Sequence, residues 1–214
     1  MSTDLFAPAT SSLPTVEITP SVGSGILGVG GVLPPVLDVC CGPRGMWFNK
    51  RDPRAMFTDR RRETIEMSYP SGEYTEVIDP DVVADFTELP FHDGSFHLVV
   101  MDPPHIEQAS ASGRIVKRYG HLFADWRGML EKGFAECFRV LRPNGTFIFK
   151  WNECRIPVAE ILALTPEAPL FGHQSGKTMQ THWIAFLKGG GGAELVAKDL
   201  CDSPKSPNES ILMQ

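Results

Sequence analysis

The chain has 214 residues, 42% of them hydrophobic and 21% charged. That suits one soluble domain with a real core, and it excludes a chain too polar to fold. No apolar run approaches the ~20 residues of a membrane span, and Met1 to Pro20 has neither the basic start nor the apolar core of a signal peptide. A net charge of −6 advertises no general affinity for nucleic acid, and five cysteines without a CxxC pair argue against a disulfide framework or a zinc site. A reducing cytoplasm is the expected compartment.

Residues 1–33, rich in Ser, Thr, Pro and Gly, read as a flexible arm. The glycines Gly28, Gly30 and Gly31 precede the first good strand instead of following it, so they do not make a dinucleotide loop. The domain proper is expected over 34–188, with a disordered tail over 189–214 that opens on four glycines. Pro35 to Cys40 predicts a first strand, Ala55 to Thr58 a second ending at Asp59, Asp81 to Ala84 a third ending at Asp85, and Phe96 to Met101 a fourth ending at Asp102. The connection from Arg60 to Pro80 holds Pro70 and Gly72 and predicts at best a weak helix. Apolar residues at 122, 123, 126, 130, 134, 137, 138 and 141 form a helical stripe, stopped by Arg142-Pro143-Asn144-Gly145. Thr146 to Trp151 predicts a fifth strand, Ile156 to Leu164 a short helix, and Pro169–Phe171 with Thr181–Leu187 a terminal antiparallel pair. Alternating strands and helices imply a doubly wound α/β sheet.

The chemistry gathers where these strands end. Gly42 and Gly45, in the loop that runs on from Asp38-Val39-Cys40-Cys41, let the backbone turn tightly and approach a ligand. An acidic residue at that place suits an ammonium group. Asp59 is positioned for ribose hydroxyls, and Asp85-Phe86 for an adenine amine and its ring face. Amino acid, ribose and adenine together make S-adenosylmethionine. At the fourth strand, Asp102-Pro103-Pro104-His105 offers a carboxylate and carbonyls to an exocyclic amine, with a ring beside them for stacking.

On these residues the chain resembles class I S-adenosylmethionine-dependent methyltransferases over about 36–187. Asp102-Pro103-Pro104-His105 resembles the Asp-Pro-Pro-aromatic motif of amino-methyltransferases of DNA and RNA, and with Asp38-Val-Cys-Cys-Gly and Phe149-Lys150-Trp151-Asn152-Glu153 it resembles small phage and bacterial methyltransferases. The resemblance implies a Rossmann-like, mostly parallel sheet with an antiparallel C-terminal strand. It also implies methyl transfer from S-adenosylmethionine to an amine of adenine or guanine in nucleic acid. Asp102, Pro103, Pro104 and His105 are the expected catalytic residues. The cofactor would be held by Asp38, Cys40, Cys41, Gly42, Gly45, Asp59, Asp85 and Phe86.

Asn152 and Glu153, at the end of the fifth strand, and Arg114 and Lys117, in a stretch from His105 to His121 that reads as a gating loop, are candidate substrate contacts. Two departures stand out: the loop is Cys41-Gly42-Pro43-Arg44-Gly45 instead of Gly-x-Gly-x-Gly, and the aromatic is His105. Cys40 and Cys41 follow the first strand, which suits pocket lining better than a nucleophile. Seven basic residues between Arg44 and Arg62, against Asp52 and Asp59, read as a solvated face or a phosphate track. No long insertion could serve as a target-reading domain, so a preformed RNA, a short motif, a partner subunit or a second copy of the chain enters the expectation. A protein side-chain amide or a small molecule as acceptor, or a catalytically silent cofactor-binding subunit, are the alternatives.

Overall fold

The computed structural model describes residues 33–69, 72–106 and 113–189. The expected arm and tail fall almost wholly outside the described residues, as does the middle of the expected gating loop. In chain order the strands are β1 (Val36–Asp38), β2 (Ala55–Asp59), β3 (Glu63–Tyr69), β4 (Gly72–Ile78), β5 (Val82–Val83), β6 (Phe96–Met101), β7 (Leu141–Asn152), β8 (Phe171–Ser175) and β9 (Thr181–Leu187). The helices are α1 (Arg114–Tyr119), α2 (Trp126–Val140) and α3 (Val158–Leu162).

Seven strands form one sheet in the order β5-β2-β1-β6-β7-β9-β8. The first five of these run parallel, β9 runs antiparallel to β7, and β8 antiparallel to β9. This is the mostly parallel, Rossmann-like sheet with an antiparallel C-terminal strand that the sequence predicts. From β1 the chain moves outward through β2 and β5, then crosses to β6 and builds the other half. The reversal lies between β1 and β6, and a crevice opens at such a switch point at the carboxyl ends of the strands.

The central strands are apolar because both faces are covered. Every residue of β2 is buried, as are Phe96, Val99, Val100 and Met101 of β6. Helix α2 starts where the Asp125 carboxylate accepts the Gly128 N–H at 3.2 Å. Its buried stripe, Trp126, Leu130, Phe134, Cys137 and Phe138, packs on an aromatic layer that includes Phe147, Phe149 and Phe186, with Phe134 and Phe149 ring centroids 4.9 Å apart. Each such side chain contributes about 1.5–3 kcal/mol on burial. Pro143 and Asn144, the latter at φ 61, follow the helix where the β6–β7 register slips.

Between β1 and β2 the described chain holds turns and no helix. Two connections differ from expectation. The 60–80 connection is an antiparallel hairpin, β3–β4, instead of a weak helix. Thr64-Ile65-Glu66-Met67 alternates polar and apolar, so Ile65 and Met67 bury one face together with Ile78. Part of the expected gating loop is helical, as α1.

Candidate active site

A cavity of about 580 Å³ opens at the carboxyl ends of the central strands, within the range of small-molecule sites. Its wall includes Cys40, Cys41, Gly42 and Gly45 after β1, Asp59 at the end of β2, Phe86 beyond β5, Asp102 to His105 after β6, and Lys150 and Asn152 on β7. The structure thus brings together most of the predicted residues. Asp38, Asp85, Glu153 and Lys117 are not on this wall. Arg114 lies in α1 by its backbone, and its side chain is outside the described residues.

The loop after β1 is shaped by two residues with left-handed backbone, Gly42 at φ 49 and Arg44 at φ 55. The Gly42 N–H donates to Asp59 Oδ2 at 2.9 Å, and the Arg61 N–H donates to Oδ1 at 2.9 Å, which ties the loop to β2. Asp38 turns away from the cavity and is fully buried. Its Oδ2 accepts the Trp47 indole N–H at 2.7 Å and its Oδ1 the Cys40 N–H at 3.3 Å. Burial outweighs these two bonds and pushes its carboxyl up to about 7. Asp85 is exposed and closes a local turn, its Oδ1 accepting from the Thr87 N–H at 2.9 Å.

Cys40 Sγ accepts the Asp102 N–H at 3.2 Å. Burial, and then the nearby Asp38 carboxylate, raise the Cys40 thiol well above its ordinary value, and the same two causes push Cys41 up to about 12. Both thiols stay protonated, which suits packing and not nucleophilic attack. Phe86 is seated by the absence of a side chain at Gly133 of α2: a Cβ there would meet the ring at 2.7 Å.

The acceptor end of the wall is more polar. The Lys150 ammonium donates to Asp102 Oδ2 at 2.5 Å and lies 5.4 Å from the Trp183 ring centroid. His105 packs edge-on toward Trp151, with centroids 6.3 Å apart, and burial lowers its pKa, so the ring is neutral at neutral pH. Asn152 donates to Thr181 Oγ1 at 3.0 Å and accepts the Cys154 N–H at 3.1 Å. Glu153 points elsewhere: its Oε1 lies 2.8 Å from His182 Nε2 and its Oε2 accepts the Val158 N–H at 3.2 Å.

The sequence puts Lys150 at the end of the fifth strand on the Asp102 crevice but gives it no role, and it does not point to Trp183, Tyr119 or the pair in which the Arg60 guanidinium sits 4.3 Å from the Phe123 ring centroid; all are on the cavity wall. Four of the seven basic residues are ion-paired: Arg44 with Asp81, Arg54 with Asp52, Arg61 with Glu63 and Asp59, and Arg62 with Asp79. Three of these partners, Glu63, Asp79 and Asp81, lie beyond residue 62, so the local charge balance falls from seven over two to seven over five once the hairpin folds back.

No family model matches the chain, and no curated protein matches it. Among solved structures it is similar to a TehB-like SAM-dependent methyltransferase of Corynebacterium glutamicum, at 15% identity and TM-score 0.45 over 75% of this chain and 84% of that one. It is similar to the PH0226 protein of Pyrococcus horikoshii at 16% identity and TM-score 0.43, over 72% and 81%. A third is the 1,6-didemethyltoxoflavin-N1-methyltransferase of Burkholderia thailandensis, solved with 1,6-didemethyltoxoflavin and S-adenosylhomocysteine, at 13% identity and TM-score 0.42 over 73% and 72%. At such identities and TM-scores none of these likenesses assigns a ligand or a reaction to this chain.

Proposed function

We propose that the protein is an S-adenosylmethionine-dependent methyltransferase that methylates an exocyclic amine of a planar base, adenine or guanine in DNA or RNA. One observation carries the reading: a single cavity is walled both by the Asp102-Pro103-Pro104-His105 segment and by the residues suited to the cofactor.

The chain's residues fit that cofactor. The Asp59 oxygens each accept one backbone N–H and keep a lone pair for ribose hydroxyls. Phe86 supplies a ring on the wall for adenine. Asp38 faces Trp47, so the amino-acid end falls to the backbone of Cys40 to Gly45 instead of to that carboxylate. Bound there, the cofactor supplies an electrophilic methyl group on a sulfonium, which needs no general acid. Asp102 Oδ1 and the Pro103 carbonyl then accept the two hydrogens of the target amine and so aim its lone pair, and the neutral His105 ring stacks on the base. Catalysis is mostly positioning in a preorganised polar site. A base within a duplex must first leave the stack, at a cost of a few kcal/mol.

A second reading, a small planar amine or a side-chain amide as acceptor, is favoured by the ion pairs that engage four of the seven residues of the basic cluster. A silent subunit is disfavoured by the carboxylate kept at the cavity wall. The test is transfer of labelled methyl from S-adenosylmethionine to separate pools of duplex DNA, single-stranded DNA, total RNA and metabolites. Label recovered as N-methyl adenine or guanine in a nucleic-acid pool is the expected result. Label confined to metabolites would overturn the nucleic-acid acceptor, and no label in any pool would overturn the enzyme reading of the isolated chain.

A further inference from the structure

Strand register places a second charged side chain against Asp102. Met101 pairs with Phe149 across β6 and β7, so the next residues outward, Asp102 and Lys150, meet at the cavity. The ammonium carries three N–H donors. One is given to Asp102 Oδ2 at 2.5 Å, and among the described residues it has no other hydrogen-bond acceptor. On the carboxylate, Oδ1 receives no hydrogen bond from the described residues. Both side chains are partly exposed, Lys150 at 26% and Asp102 at 21%, and the exposed part faces the cavity that both line. Asn152, the next polar group along β7 on this wall, is oriented by its bonds to Thr181 and Cys154.

The cavity therefore presents a hydrogen-bond acceptor, Oδ1, and an ammonium donor side by side, held in place by their own ion pair. That pair complements an edge in which an N–H group and a lone-pair atom sit on the same carbon, as in an amidine or an amide. It does not complement an isolated amine, which would leave the ammonium unmatched, nor a carboxylate, which would face Asp102. We propose that Lys150 is a specificity-determining residue that reads the lone-pair atom beside the target amine. The site thereby selects acceptors whose amine is bonded to a carbon that also bears a ring nitrogen or carbonyl oxygen. This rests on the reading of Asp102 as the seat of the acceptor amine.

Two probes of equal shape isolate the contact: 2-aminopyrimidine, whose amine is flanked by ring nitrogens, and aniline, which lacks them. Both are neutral at pH 7.5. Binding of each to the full-length protein is followed by NMR line-shape titration, with and without saturating S-adenosylhomocysteine. The wild type is expected to prefer 2-aminopyrimidine by about tenfold or more, since aniline leaves a charged donor unmatched. Lys150→Met should abolish the preference while its S-adenosylhomocysteine affinity and melting temperature stay near wild type. Lys150→Arg, which keeps cationic N–H donors, should retain part of it. Equal binding of the two probes, no binding of either, or a preference that survives Lys150→Met would overturn the proposal. S-adenosylhomocysteine is titrated alone first. Its failure to bind would count against the methyltransferase reading and leave the probe preference measurable on the free protein.

Discussion

Asp38 and Asp102 end adjacent parallel strands, β1 and β6, at the same edge of the sheet, and in sequence they look like equivalent carboxylates. Their surroundings make them opposites. Asp38 is fully buried, closed over by the Trp47 indole and the Cys40 N–H, with its carboxyl pushed up to about 7. Asp102 stays partly exposed on the cavity wall, held by the Lys150 ammonium through one oxygen and open through the other. A carboxylate at the end of a strand is thus a structural brace or a ligand seat according to what its neighbours leave uncovered.

The comparison sharpens first through pH. The folded-state pKa of Asp38 lies above its ordinary value of 3.8, so its contribution to stability is full below that value and is lost as pH rises towards 7. Asp38→Asn removes the titration while its side-chain oxygen can still accept the Trp47 N–H. Urea unfolding of both proteins from pH 4 to 8 should show the variant gaining on the wild type with rising pH. The gain, at 1.36 kcal/mol per unit over the interval, reaches about 4 kcal/mol and then levels off above pH 7. A difference independent of pH would break the contrast between the two aspartates.

A smaller effect separates the Phe86 side of the cavity wall from the Asp102 side. In Gly133→Ala the new methyl would overlap the Phe86 ring at 2.7 Å and crowd Met101 Cε at 3.2 Å. Overpacking costs about 1–3 kcal/mol, partly offset by the roughly 1 kcal/mol by which alanine favours a helix. We expect a lower melting temperature and weaker S-adenosylhomocysteine binding, with Asp102-dependent recognition of the amine probes unchanged. Unaltered cofactor affinity would remove Phe86 from the cofactor's wall.

What was legible in the sequence were features that a short window contains. Phe96 to Met101 and Thr181 to Leu187 are strands with the predicted bounds, because an unbroken or half-buried apolar run has few other fates. The helical stripe through Trp126, Leu130 and Phe134 is α2, although Leu122 and Phe123 precede its Asp125 cap. The hairpin was hidden by an assumption about what joins parallel strands; the alternation at Ile65 and Met67 already carried it.

Features set by pairing at a distance were not legible. Lys150 belongs to Asp102 across 48 positions through strand register, and Arg44 finds Asp81 across 37. Trp47 claims Asp38 because a turn-filled connection folds the indole back over β1. The candidate site was therefore readable as a set of strand-end residues, while the division of roles among them needed the fold.

The most direct test of the account sets cofactor binding against transfer in one variant. S-adenosylhomocysteine is titrated calorimetrically into wild type and Asp102→Ala, and labelled methyl transfer is then followed on the pool that the wild type modifies. We predict equal affinity for S-adenosylhomocysteine and a loss of transfer on the order of a hundred- to a thousandfold, the scale for removing one preorganised polar group from a reacting centre. Transfer that survives in Asp102→Ala, or cofactor affinity that collapses with it, would contradict the assignment of Asp102 to the acceptor.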